Sequence, residues 1–199
     1  MYTVCTAATL GMSAASLVLP SRAAATTVLP LDLAALTSAA DRVFMGKVVA
    51  LRSGRDGRGL PATWTTFQVE ESLKGTLPRT LEIKQIGTEA PLADGAIYRV
   101  PALPRYEVGD EVILFLHPDS AAGFTSPVGL GQGRFRIHHQ HGSTTAENDV
   151  GNVNLQAPAH AALARGTLGA GTAAPAPAAA PIPVDELTGR IRALASAPH

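Results

Sequence analysis

Residues 63–73 read Thr63-Trp64-Thr65-Thr66-Phe67-Gln68-Val69-Glu70-Glu71-Ser72-Leu73 and alternate in polarity along their length. In an extended chain Thr65, Phe67 and Val69 point to one side, and the polar residues between them point to the other. A period of two is typical of a β-strand with one buried face and one hydrated face. The segment therefore predicts a strand on the surface of a β-rich domain.

Four further stretches rich in β-branched and aromatic residues are separated from this one by Gly and Pro turns: Arg42–Leu51, Thr80–Ile86, Glu111–Leu116 and Arg134–Ile137. Short strands at such spacing are typical of a small antiparallel β-barrel. One inward-facing set is expected: Phe67, Val69, Leu81, Ile83, Val112, Leu114, Phe135 and Ile137. Each of these side chains contributes about 1.5–3 kcal/mol when buried, enough together for one small core.

The charge balance excludes some partners. Lys plus Arg and Asp plus Glu both number 16, so the formal net charge is zero and nothing attracts a polyanion from a distance. We therefore expect no binding to nucleic acid and none to an anionic membrane surface. Cys5 is the single cysteine, which excludes thiol catalysis and cysteine zinc sites in a chain cleaved after it.

The first 25 residues resemble an export signal. Leu10–Leu19 is an uncharged apolar run, and Ala23-Ala24-Ala25 supplies the small residues that signal peptidase requires. The run is too short to span a bilayer, which takes about 20 apolar residues. One feature departs from the pattern, since no Lys or Arg precedes Arg22. We expect cleavage near Ala25 and a periplasmic or secreted mature chain with no transmembrane segment; a disordered apolar N-terminus is the alternative.

The remaining chain divides by composition into three parts. Residues 26–155 hold the strand pattern, with a short helix predicted at Leu33–Ala40 behind an Asp32 cap. Residues 156–182 form an Ala/Gly/Pro tract without helix or strand period, which is typical of a linker. Residues 183–199 carry an amphipathic helix with a Val184, Leu187, Ile191 and Leu194 stripe. A helix this short is marginal alone, so we expect it to dock on the barrel or on a partner.

The order of these elements resembles a group of exported bacterial proteins whose barrel is similar to tissue inhibitors of metalloproteinases and netrin modules. Four segments carry the resemblance: Ala40–Val48, Phe67–Gly75, Tyr106–Leu116 and Gly129–Phe135. The resemblance covers about half of the chain and implies a mainly β fold, an OB-like Greek-key barrel with a short N-terminal helix and an appended C-terminal helix. Those inhibitors place an N-terminal cysteine on the protease zinc. A mature chain without cysteine does not support that mechanism.

A long connection between the third and fourth strands offers the first candidate site. Its apolar Val100–Pro104 piece is bracketed by aromatic and cationic residues, and the candidate partner-binding set is Tyr98, Arg99, Leu103, Arg105 and Tyr106. Long loops on barrels often carry recognition, and Tyr and Arg are favoured at interface centres. The alternative is a loop that covers one open end of the barrel. The sequence leaves both interpretations open.

The histidines after the last predicted strand form a second candidate. His138, His139 and His141 could hold Zn²⁺, Ni²⁺ or Cu²⁺ if the backbone curled around the ion, with Glu147 and Asp149 completing the set. Alternation along a strand instead separates these imidazoles onto two faces. Because no distant second ligand pair is evident, the sequence favours a solvated loop, and metal binding stays the alternative.

Other motifs favour structural roles. Gly129-Leu130-Gly131-Gln132-Gly133 precedes a strand rather than the helix that a phosphate loop requires, so a bulge or tight bend is the better interpretation. Trp64 could stack a base or a sugar, although a structural position is favoured. No catalytic motif and no cofactor motif is present, so no enzyme and no cofactor is expected.

Three hypotheses follow for the function. The first is an exported, non-catalytic module that binds an exported protein such as a protease or an envelope component. The second is a metal-binding protein that uses the histidines, and the third is an enzyme of unrecognised type. The oligomeric state is not indicated by any pattern in the sequence.

Overall fold

The computed structural model describes residues 29–140, 142–155 and 179–197. Its helices are α1 (Leu33–Ala39) and α2 (Val184–Ser196), and its strands are β1 (Arg42–Arg55), β2 (Pro61–Lys74), β3 (Thr80–Ile86), β4 (Glu111–Leu116), β5 (Arg134–Gln140), β6 (Ser143–Asn148) and β7 (Ile182–Pro183). Short 3₁₀ helices lie at Leu130–Gly133 and Val153–Leu155. The predicted signal with its cleavage point near Ala25, and residues 156–178 of the predicted linker, lie outside the described residues.

The strands form one antiparallel sheet in the order β3-β2-β1-β4-β5-β6-β7. The prediction of a mainly β fold with two flanking helices is confirmed. Strand β4 returns beside β1 after the consecutive strands β1, β2 and β3, which is the Greek-key arrangement. Within the described residues no ladder joins the two edge strands β3 and β7, so the sheet is not closed into the predicted barrel.

Two separate cores lie on the two faces of the sheet. One, beneath the helices, is built on Leu36, Phe115 and Phe135. The other is built on Phe44 and Phe67, with Leu81, Ile83, Val112 and Leu114 around them. The prediction of a single inward set is therefore wrong for Phe135 and Ile137, because Phe135 pairs with Ile113 and shares the face covered by the helices.

Helix α2 is part of the core beneath the helices. Leu187 and Ile191 are fully buried there, and the Arg192 guanidinium bonds the Glu71 carboxylate of β2. Helix α1 packs in the same core behind its Asp32 cap, whose carboxylate accepts a 2.8 Å bond from the Ala35 amide. No helix in the part of the chain that the structure describes is long and apolar enough to cross a membrane.

The β1–β2 hairpin is long and irregular. Its pairing shifts register at three points, one of them between Met45 and Gly46. A Cβ placed on Gly46 would lie 2.5 Å from the Gln68 carbonyl oxygen, so the two strands approach closely only because position 46 lacks a side chain. The hairpin then extends beyond the core to a tip at residues 56–60.

Candidate binding surfaces

The connection between β3 and β4 places the five predicted partner-binding residues in three environments. Tyr98 and Arg99 are exposed on the outer part of the loop. Leu103 and Arg105 line a cavity beside the 3₁₀ turn that precedes β5. Tyr106 is buried. The structure therefore brings these residues to one loop but not to one site.

Tyr106 packs within the core on the other side of the sheet from the helices. Its ring meets Phe67 edge to face at 5.4 Å between centroids, and Phe67 meets Phe44 in the same way. Only 4% of the residue is exposed, and this burial raises the pKa of its hydroxyl. Tyr106 is thus part of this core and offers no surface to a partner.

Tyr98 is held in position by Arg55 at the end of β1. The Arg55 Nη2 donates to the Asp94 Oδ2 at 2.8 Å and to the Tyr98 hydroxyl at 3.1 Å. Its guanidinium carbon lies 5.3 Å from the centroid of the Tyr98 ring. The hydrogen bond to Tyr98, and next in size the one to Asp94, raises the pKa of Arg55, so its guanidinium group stays protonated. Arg55 also donates to the Gly59 carbonyl, which ties the hairpin tip to the loop.

Exposed apolar side chains lie on the three chain segments next to this network. We name them the hairpin–loop surface: Leu60, Ile86, Ile97, Tyr98 and Val100, each 38–42% exposed. Backbone bonds connect the segments that carry them, since the Gly87 amide donates to the Pro61 carbonyl and the Thr88 amide to the Tyr98 carbonyl. Sequence reasoning found Tyr98 but missed the other members, because the fold brings together three segments that are separate in the chain.

A cavity of about 440 Å³ opens beside the inner part of the loop. It is lined by Leu103 and Arg105 of the loop and by Leu130, Gly131 and Gln132 of the 3₁₀ turn before β5. Behind them the buried Arg134 donates to both carboxylate oxygens of Asp149, at 2.6 and 2.7 Å. The glycine-rich run predicted as a tight bend is this turn, and strand β5 follows it directly.

The histidines do not converge within the described residues. The predicted solvated loop is wrong for His138 and His139, because β5 continues to Gln140 and pairs both residues with β6. Consecutive residues in a strand point to opposite faces, and His141 lies outside the described residues. No group of three His, Cys, Asp or Glu side chains there is close enough to hold an ion. Metal binding by these histidines stays a prediction.

His139 has a carboxylate partner that the sequence pattern did not indicate. Its Nε2 lies 2.6 Å from the Glu111 Oε2, and the Lys47 ammonium lies 3.0 Å from the other oxygen of the same carboxylate. The hydrogen bond with His139, and next the one from Lys47, lower the pKa of Glu111. The pair joins neighbouring strands β4 and β5, so it fastens the sheet at this point.

The indole ring of Trp64 is in contact with Arg52. The Arg52 guanidinium carbon lies 3.8 Å from the centroid of this ring, a cation–π contact across the β1–β2 hairpin. One face of the indole is therefore covered, which agrees with the structural role that the sequence favours over base or sugar stacking.

Comparison of the chain with protein-family models, with curated proteins and with solved structures finds no match in any of the three. The geometry of the two surfaces described above is therefore the ground on which we propose a function.

Proposed function

We propose that this protein is an exported, non-catalytic module that docks on another exported protein through the hairpin–loop surface. One observation carries the proposal: the exposed Tyr98 ring lies on a segment that is bonded to a second segment with an exposed apolar side chain, and its hydroxyl accepts a hydrogen bond from Arg55, which Asp94 holds in turn. Tyr and Arg are enriched among the residues that dominate binding energy at interfaces. Tyr98 and Arg55 supply both types at one point.

Pre-organisation supports a binding role for this surface. Immobilising a flexible side chain on association costs about 0.5–1.5 kcal/mol. The Tyr98 ring already has its hydroxyl bonded to Arg55 and its backbone amide bonded to the Thr88 hydroxyl oxygen at 3.0 Å. Because the ring is already positioned, association with a partner would incur little of this cost in side-chain ordering.

The class of partner follows from the chain as a whole. The apolar run at Leu10–Leu19 and the alanines at 23–25 support export, so the partner is an exported protein such as a protease or an envelope component. A net charge of zero provides no steering toward nucleic acid. The cysteine-on-zinc mechanism of the metalloproteinase inhibitors is not part of the proposal, because a chain cleaved near Ala25 has no cysteine.

We also propose that the sheet is a partly open OB-like barrel. The Greek-key order supports this, and so does a parallel bridge between Lys84 of β3 and Phe124 in the β4–β5 connection. At that bridge the Thr125 amide donates to the Lys84 carbonyl at 2.9 Å. If β3 is joined to the connection in solution, the Thr125 amide will exchange slowly with deuterium. Exchange as fast as that of the exposed Ala121 amide, which donates no backbone hydrogen bond among the described residues, would contradict the barrel.

Site-specific photo-crosslinking tests the binding role. A benzophenone amino acid replaces Tyr98 in one variant and Val108 in a control, where the side chain is 66% exposed but lies on the turn before β4. In cells of the native organism we expect a reproducible crosslinked band from position 98 and none of that mass from position 108. Mass spectrometry then identifies the partner, and a band twice the mass of the chain would identify a second copy.

Two results would contradict the proposal. The first is equal crosslinking from both positions, which indicates random encounter, and the second is none from position 98 under conditions where the chain is present and folded. Edman sequencing of the exported chain checks the cleavage separately, with a start near residue 26 expected. An uncleaved Met1 would refute the predicted cleavage while leaving the crosslinking result unaffected.

A further inference from the structure

The cavity beside the inner part of the loop has a chemistry of its own, and it does not depend on the hairpin–loop surface. Its volume of about 440 Å³ is that of a site for a small organic molecule or a few residues of a peptide. Leu103, Pro104, Leu130 and Val150 supply apolar walls. A ligand that fills it must therefore carry an apolar group.

Three arginines line the same cavity: Arg105, Arg134 and Arg136. Guanidinium groups present paired donors in a fixed plane that matches a carboxylate. A cavity with apolar walls and several guanidinium groups is thus suited to a molecule that joins an apolar group to a carboxylate.

Arg134 forms the rigid back of the cavity. It is 3% exposed, bonds Asp149 twice and donates Nη1 to the Arg105 carbonyl. Its Nε and the Tyr106 hydroxyl, whose ring centroid lies 5.5 Å from the Arg134 guanidinium carbon, are buried with no hydrogen-bond partner among the described residues. Buried polar groups are nearly always satisfied, and an exception calls for an explanation such as strain, a water or an ion. Of these two groups, Arg134 is the one that lines the cavity.

The two outer arginines are available for exchange. Arg105 is 51% exposed in its side chain, and its contact with Glu89 is a long 3.6 Å. Arg136 faces Glu147 across the β5–β6 pair but has no ion pair within 4.0 Å among the described residues. A surface ion pair such as Arg105–Glu89 contributes little, so an incoming carboxylate can replace it at small cost, and Arg136 has no ion pair there to lose.

We propose that this cavity binds a carboxylate carried on a compact apolar group, with Arg136 and Arg105 holding the carboxylate at the mouth. Two sources share that chemistry. One is a small organic acid, and the other is the C-terminal end of a peptide chain. In either case Leu103, Leu130 and Val150 contact the apolar group.

Isothermal titration calorimetry on the full chain distinguishes the sources with three probes. These are octanoate, the tripeptide acetyl-Ala-Ala-Leu with a free carboxylate, and the same tripeptide as its C-terminal amide. We expect saturable one-to-one binding of at least one carboxylate probe, and at least about tenfold weaker binding of the amide. Binding of octanoate alone assigns a small acid, and binding of the free peptide alone assigns a chain end.

Variants locate the binding. We expect the substitutions Arg136→Gln and Arg105→Gln, made separately, each to lower the affinity for the carboxylate probe by about tenfold, because each removes a charge-assisted hydrogen bond. Arg79→Gln is the matched control, because Arg79 is an exposed arginine just before β3, far along the sheet from β5. Circular dichroism confirms that each variant is folded. The proposal is overturned if no carboxylate probe binds at millimolar concentration, if the amide binds equally well, or if both variants bind like Arg79→Gln.

Discussion

Removing the side chain of Ile191 tests whether α2 is an integral part of the domain. The residue is fully buried in the core beneath the helices, in contact with elements that lie far away in the chain. Ile191→Ala deletes three carbon atoms, each worth about 0.8 kcal/mol of burial, and leaves a cavity that adds to the loss. We therefore expect the free energy of unfolding to fall by about 3 kcal/mol.

Urea denaturation followed by circular dichroism measures this change. The midpoint should fall while the slope of unfolding free energy against urea stays constant, because the variant exposes the same surface when it unfolds. A loss of this size lowers the thermal midpoint by about 10 °C in a domain of this length. Arg190→Ala is the matched control on the same helix, since Arg190 is 46% exposed in its side chain and, among the described residues, forms an ion pair only with Glu186, at 3.7 Å. Its expected effect is below about 0.5 kcal/mol.

A decrease in the free energy of unfolding below about 1 kcal/mol for Ile191→Ala would contradict the docking of α2, because truncating a fully packed side chain destabilises a protein by more than this. A fall in the urea slope would show a different failure, in which α2 separates from the sheet before the rest unfolds. A small gain in stability from both Ile191→Ala and Arg190→Ala would mean that helix propensity rather than docking sets the stability of this segment, because alanine is the best helix former.

Three further predictions follow from the same structure. Gly46→Ala forces a Cβ to within 2.5 Å of the Gln68 carbonyl oxygen and should cost about 3 kcal/mol by urea titration; an effect below about 0.5 kcal/mol would contradict the close strand approach. Replacing residues 156–178, whose flanking residues line one cavity, with about five Gly and Ser residues should raise stability by about 1 kcal/mol, and a loss of stability would contradict this. The hydrogen bond with His139 lowers the pKa of Glu111, so the stability of wild type over Glu111→Gln should be present above the ordinary pKa of a glutamate and lost as pH falls through the lowered value. Unfolding measured between pH 7 and pH 3 checks this, and a difference that does not change with pH would contradict it.

Local patterns predicted the elements well because they depend on neighbours in the chain. The alternation of Thr65, Phe67 and Val69 placed β2, and the Asp32 cap placed the start of α1. The apolar stripe from Val184 to Leu194 likewise predicted α2. The ends were less accurate: β1 and β2 run further than predicted, since the hairpin pairs as far as Arg55 and Pro61 beyond the apolar segments.

The candidate sites show where local patterns stop being informative. Tyr98 and Tyr106 belong to one loop and have the same chemistry, yet one is exposed beside Arg55 and the other is buried against Phe67. Only the course of the backbone between them determines which ring enters the core. The sequence could not predict the His139–Glu111 contact either, because the two residues come together only when β4 and β5 pair.

By itself, the sequence determined five of the seven strands that the structure describes, the two helices and the zero net charge, whereas β6 and β7 were not predicted. The features that it determined depend on residue type and on spacing within one segment. Only the tertiary structure decided which core each strand residue enters. Phe135 packs in the core beneath the helices and not in the core that contains Phe67. The tertiary structure also decided which exposed residues lie together, as Leu60, Ile86 and Tyr98 do. The physical reason is that burial and contact between distant segments follow from strand register, and register is a property of pairs of strands rather than of any one of them.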